Sequence, residues 1–185
     1  MKAVIYKYIM VCIGFLVCFK TQAQVYEIEK GNIQFYSDAP QELIKAYSEN
    51  ISGIVDFTKN IFFVKVGISS FNGFNSPLQR EHFNENYMES TMFPVASFSG
   101  KLIEEVNPEK DKKTTVRAKG DLLIHGITQE RIIPALIRTK GKEVLLEADF
   151  IILLSDHDIK IPRVVSSKLS QKIHVSVFAK LTKRK

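Results

Sequence analysis

The chain is 185 residues long, a length that favours one domain able to bury roughly 70% of its unfolded surface without staples. Its formal net charge is +6, and no basic face with interleaved aromatics accompanies that charge, so no nucleic-acid partner is expected. The only cysteines are Cys12 and Cys18, too few for a disulfide framework. Both fall in the opening "MKAVIYKYIMVCIGFLVCFKTQAQ". There Lys2 and Lys7 give a basic start, Tyr8 to Phe19 an apolar run, and Thr21-Gln22-Ala23 a small-residue exit. This is the layout of a secretory signal peptide over residues 1–23, with an apolar run short for a membrane span. Its removal takes away both cysteines and three lysines. The expected product is one domain over residues 25–185, periplasmic or secreted, with a net charge near neutrality and a core as its only source of stability.

The remainder is dominated by an alternation of period two, the mark of half-buried strands. One early stretch breaks it. In "APQELIKAYSENI", Pro40 near a first turn and Leu43, Ile44 and Tyr47 at helical spacing predict a short helix. "FFVKVGISSF" then places Phe62, Val64, Val66 and Ile68 on one face. "SPLQREHFNENYMES" predicts a second helix, with Leu78, His82 and Phe83 roughly on one side and Tyr87 a turn later. "PVASFSGKLIEEV" aligns Ala96, Phe98, Gly100 and Leu102, and the charged "NPEKDKK" reads as a solvated hairpin loop.

"GDLLIHGITQERIIPALI" follows. It assigns Gly120, Leu122 and Ile124 to one face, then His125-Gly126 to a tight turn, then Ile133, Ala135 and Ile137 to the return strand. "EVLLEADFIILL" sets Val144, Leu146, Ala148, Phe150, Ile152 and Leu154 inward. "KIHVSVFAKLT" does the same for Ile173, Val175, Val177, Ala179 and Leu181. Long strands between turn signals predict an all-β, antiparallel sandwich or barrel, with one or two short helices lying across its ends.

The polar residues offer little chemistry. His125 shares a face with Asp121, away from the interior, and is expected to hydrogen-bond locally where the strand ends. Asp156, His157 and Asp158 form a turn, and alternate side chains of a strand point apart. His82 is expected at the surface, and His174 on the outer face of the last strand. No phosphate loop, nucleophile elbow or zinc spacing occurs, so neither an enzyme nor a cofactor is expected.

"GDLLIHGITQERIIPALI" resembles the Gly-x-Leu-x-Ile-x-Gly-Val/Ile-Thr signature of the YceI-like family of secreted lipid- or polyisoprenoid-binding proteins. "REHFNENYMESTMFPVASFSGKL" is similar to the family's helix and following strand. "FIILLSDHDIKIPRVVSSKLSQKIHVSVFAKL" is similar to its closing segment. The resemblance runs from about residue 60 to the end, and "GNIQFYSDAPQEL" departs from the family's opening strand. It implies an extended eight-stranded antiparallel barrel of lipocalin-like shape whose apolar interior holds a long-chain isoprenoid or other lipid.

The candidate lining consists of the inward Phe62, Val64, Val66, Ile68, Phe98, Leu102, Leu122, Ile124, Ile133, Ile137, Leu146, Phe150, Ile152, Val175 and Val177. Phe83 and Tyr87 are the candidate gate. Contact with a membrane surface is expected to be transient at most, and a homodimer is left open. Alternation alone accommodates a second outcome, because an eight-stranded barrel either encloses one ligand or packs shut. A filled barrel would act as a structural or stress-related interaction protein, through an outer patch of Leu145, Ile151, Leu153 and Phe178.

Overall fold

The computed structural model describes residues 24–184 apart from positions 111 and 142. The expected signal segment and both cysteines lie outside the described residues. In chain order the strands are β1 (Val25–Asp38), β2 (Leu43–Ser48), β3 (Ile51–Asp56), β4 (Ile61–Gly67), β5 (Val95–Leu102), β6 (Lys113–Ile124), β7 (Ile127–Lys140), β8 (Glu143–Leu153) and β9 (Lys172–Lys183). One short helix, α1 (Pro77–His82), continues into a π-turn over Phe83–Tyr87. Every neighbouring pair is antiparallel, and β9 pairs back onto β1 from Tyr26↔Lys183 to Ser37↔Ile173, so the sheet closes on itself.

Nine segments make an eight-stranded barrel because β2 and β3 are halves of one interrupted strand. β1 pairs along one edge with β3 through Val25–Glu27 and with β2 through Ile33–Asp38. Both sides deform at the same level. β1 shifts register between Ile28 and Lys30, and its partner breaks at Glu49–Asn50. Ser48, buried at the break, accepts the Asn50 N–H at 3.0 Å and lies 2.6 Å from the Ser70 hydroxyl, which itself donates to the Gly67 carbonyl. Such bonds satisfy the backbone groups that the broken ladder leaves without a strand partner.

The helix expected over "APQELIKAYSENI" is therefore replaced by β2. Ile44, Ala46 and Ser48 are buried while Leu43, Lys45 and Tyr47 are exposed, a period of two. A helix this short is marginal alone, whereas the waiting edge of β1 supplies a ladder. The second expected helix forms as α1, started by Ser76, whose hydroxyl accepts the Gln79 N–H at 3.2 Å, with Pro77 at its first turn.

Two glycine sites are fixed by space. Gly100 and Gly120 face each other across β5 and β6, and a Cβ on Gly120 would stand 2.0 Å from the Ser99 carbonyl oxygen. Bare backbones let the two strands coil tightly there. His125 and Gly126, with φ of 50° and 73°, make the two-residue turn between β6 and β7. Positive φ at both central residues marks the turn type whose twist suits a hairpin.

One end of the barrel is packed shut. Leu102, Val116, Ile137, Val144 and Leu181 form a buried cluster there with Phe57 and Val106 from the connecting loops. The other end carries the long connections 68–94 and 154–171, with the 39–42 loop between β1 and β2 beside them.

Candidate functional site

The interior is hollow. A cavity of about 560 Å³ runs from the packed end to an opening on the side of α1. Close-packed interiors hold few voids larger than a water molecule, so a space of this size is an architectural feature, not a packing defect. The inward faces read from the sequence meet in it. β4 and the turn after it contribute Phe62, Val64, Val66 and Ile68, and β5 contributes Phe98 and Leu102. Leu122 and Ile124 come from β6, Ile133 and Ile137 from β7. Leu146, Phe150 and Ile152 project from β8, Val175 and Val177 from β9, and Phe83 and Tyr87 from the π-turn. Ala135 and Ala148, paired across β7 and β8, yield wall volume to the cavity.

Sequence reasoning missed the share contributed by the first third of the chain. Ile33, Phe35 and Ser37 of β1 and Ile44 of β2 also line the cavity, as do Phe71 and Phe74 from the loop after β4. The alternation in "NIQFYSD" was sufficient to place the β1 residues. Phe71 and Phe74 lie in irregular backbone, where period carries no signal.

Phe83 is the hub of an aromatic cluster near the mouth. Its ring lies 5.5 Å from Phe35 in a stacked arrangement, 5.0 Å from Phe74 and 5.8 Å from Phe71. Ring pairs at these separations add roughly 0.5–1.5 kcal/mol each beyond their burial. Arg80 ties α1 to the loop beneath it by donating to the Phe71 and Ser69 carbonyls, each at 3.1 Å.

Three segments frame the opening. Gln41 donates its N–H to the Ser167 carbonyl at 2.9 Å, and the Ser167 hydroxyl donates to the Gln41 side chain at 3.0 Å. Ser37, fully buried, accepts the Ser170 N–H at 2.9 Å. On the other flank Glu42 accepts from Asn75 at 3.1 Å and from Gln79 at 3.0 Å. The opening is thus edged by Glu42, Ser76, Gln79, His82 and Lys168, a polar ring above an apolar tunnel. Burial pushes the Tyr87 hydroxyl above its ordinary value, so this cavity-lining phenol stays a neutral donor.

The histidines serve the framework. His125 Nδ1 donates to the His157 carbonyl at 3.1 Å, its Nε2 lies 2.8 Å from a Glu89 carboxylate oxygen, and its ring meets Phe93 edge-on. It joins the β6–β7 turn to the segments before β5 and after β8. His157 is buried and donates from Nδ1 to the Ile127 carbonyl at 3.1 Å. Desolvation by burial holds its ring below the ordinary value, against the opposing pull of that hydrogen bond. Its neighbours point elsewhere: Asp156 to Arg131 at 3.4 Å, Asp158 to Lys160 at 3.4 Å. Among the described residues no group of three or more metal-ligating side chains converges. His174 stacks on Tyr36 outside the barrel, and His82 is exposed at the mouth.

A family model described as the YceI-like domain matches residues 26–181. The match includes β1 to β3, the part in which sequence reading saw a departure. No curated protein matches the sequence. Among solved structures, a polyisoprenoid binding domain from Saccharophagus degradans, implicated in plant cell wall breakdown, is similar with a TM-score of 0.72 at 13% identity, covering 88% of this chain and 100% of that one. BcnA from Burkholderia cenocepacia gives a TM-score of 0.66 at 13% identity, with 83% and 96% covered. A YCEI protein from Campylobacter jejuni gives 0.61 at 15% identity, with 76% and 85% covered. At these identities the likeness establishes the fold.

Proposed function

The chain belongs to the YceI-like domain family, and on that premise we propose that it is an exported, non-enzymatic protein that shields one isoprenoid or related lipid tail inside its barrel. The observation that carries this reading is the hollow, apolar interior with a framed, polar-edged mouth. Its volume lies within the usual range of small-molecule sites, about 300–1,000 Å³. Taking roughly 30 Å³ for a water-sized group, the space matches about 19 chain atoms. A tail of that order would be enclosed, and a longer one would emerge past Phe83. Ten enclosed carbons at about 0.8 kcal/mol each contribute about 8 kcal/mol before ordering costs. No catalytic group is needed for that. The name of the Saccharophagus degradans relative, a polyisoprenoid binding domain, supports the same ligand class.

Glu42, Gln79 and Lys168 would meet the head group. Site selectivity in this scheme comes from tunnel length and from those few polar atoms. The N-terminal pattern supports periplasmic or secreted placement, which suits a task of moving a molecule that water would aggregate.

The rival reading, a filled barrel acting through its outer face, has less support. The interior is hollow, and the outer patch is divided. Phe178 and Ile151 are 44% and 43% exposed, but the Ser176–Asp149 hydrogen bond lies between them.

The test is native mass spectrometry, with solvent extraction, of protein purified from the compartment to which it is exported. A co-purifying lipid at about one per chain is expected. A chain that emerges empty and takes up no tail from lipid vesicles would overturn the reading.

A further inference from the structure

A tunnel for a tail needs a place where the tail enters, and one side of this mouth is both basic and apolar. The segment "IKIPRVVSSKLSQK", residues 159–172, carries Lys160, Arg163, Lys168 and Lys172 and no acidic residue. It contributes Val165, Lys168 and Leu169 to the cavity lining, so it borders the opening directly. At its 3-10 turn, Arg163–Val165, Val164 is 88% exposed, the most exposed large apolar side chain among the described residues. Across the opening Leu78 of α1 both lines the cavity and stands 57% exposed. Lys160 is engaged by Asp158, whereas Arg163 and Lys168 have no acidic partner among the described residues. The rim acid Glu42 is held on the α1 flank by the neutral amides of Asn75 and Gln79, and α1 and its π-turn add the exposed Glu81 and Glu85, so the excess of positive charge belongs to the 159–172 side of the opening.

Apolar tips set among cations at the entrance of an apolar tunnel match the chemistry of an anionic lipid surface. Apolar side chains gain by entering the headgroup–acyl boundary, and each nearby Lys or Arg gains from the negative surface potential. A protein partner would instead present a folded apolar surface, and it would have no need of the tunnel. We propose that this rim seats on an anionic bilayer. Val164 and Leu78 enter the interfacial layer and Arg163 and Lys168 meet acidic headgroups, so that a tail passes between membrane and tunnel without crossing water. The proposal rests on the reading of the tunnel as a lipid site.

The chain contains no tryptophan, so a single substitution gives a position-specific probe. Val164→Trp is placed at the rim and Ile103→Trp at the exposed connection between β5 and β6, at the packed end. Both are mixed with vesicles of phosphatidylcholine alone or with phosphatidylglycerol added. Val164→Trp emission is expected to shift to the blue, and to be quenched by brominated lipid, with the anionic vesicles only; Ile103→Trp emission is expected to stay in place. Adding Arg163→Gln or Lys168→Gln is expected to lower partitioning about fivefold each. No shift at position 164, or an equal shift at position 103, overturns the proposal. Native mass spectrometry of the same samples separates the two ideas. Tail uptake without a shift removes the docking rim and leaves the tunnel reading standing; a shift with an empty tunnel keeps the rim and removes the tunnel reading.

Discussion

At the packed end of the barrel Val116, Ile137, Val144 and Leu181 are almost wholly buried, and Phe57 and Val106 close over them from the loops. The ladder there is continuous, with β6 pairing β7 over twelve successive residues. At the mouth one strand is broken, a hydroxyl pair stands in for the ladder, and the wall is completed by the loop after β4, whose Asn72 exchanges backbone hydrogen bonds with Tyr47. Aliphatic side chains, capped by Phe57 and Tyr26, seal the first end. A four-ring cluster and a handful of side-chain hydrogen bonds shape the second. Stability is concentrated where the ladder is unbroken and opening where it is not, and the same eight-stranded closure serves both.

Three substitutions sharpen that contrast. The largest effect belongs to Gly120→Val, because its Cβ would meet the Ser99 carbonyl and the Gly100 backbone, neither of which can rotate away. A cost of about 4 kcal/mol or more is expected, a large share of the stability of a domain this size, read as loss of the cooperative thermal transition. Next is Leu181→Ala at the packed end, a side chain outside the cavity lining, expected to cost about 2–5 kcal/mol in denaturant titration while tail occupancy persists in the folded fraction. Phe83→Ala reverses that balance. Its ring borders open space on one side but packs against three other rings, so the stability cost is expected near 2–3 kcal/mol, whereas the tail should dissociate about tenfold faster through a mouth that has lost its central ring. Equal effects of the last two on both readouts would break the comparison.

How much of this was legible in the sequence follows from the same division. Every strand from β4 onward announces itself by alternation because its outer face meets water and its inner face does not. The turn at His125-Gly126 is legible for a local reason, two residues between apolar runs with glycine second. The mouth is not. β2 carries Leu43, Ile44 and Tyr47 at spacings that suit a helix as well as a strand, and the edge of β1 that decides between them is a tertiary fact. Whether the inward residues interlock or stand apart is likewise decided by barrel geometry, to which period two is blind. His125 sits at a strand end as expected, but the local hydrogen bond expected of it is replaced by links to His157 and Glu89, 32 and 36 positions away, which no spacing rule reports.

A smaller effect tests the loops that hold the mouth end together. Since burial lowers the folded-state value of His157, the unfolded chain binds more protons wherever the two states differ. The stability contributed by the neutral ring is therefore complete above its unfolded value, near pH 6.5, and is lost as pH falls below that toward the folded value. Denaturation midpoints measured from pH 7.5 downward should decline in this window, and His157→Asn should flatten the decline. A decline unchanged in that variant would assign the pH dependence to other groups.

The most direct measurement of the central claim is a tail-length series. Single-chain lipids sharing one head group are titrated against the protein, and affinity is recorded as carbons are added. The account predicts a steady gain per methylene that levels off near 19 chain atoms, the capacity of the 560 Å³ cavity, with Ala148→Phe moving the plateau to shorter tails. Affinity that ignores tail length, or a plateau that Ala148→Phe leaves in place, would contradict it.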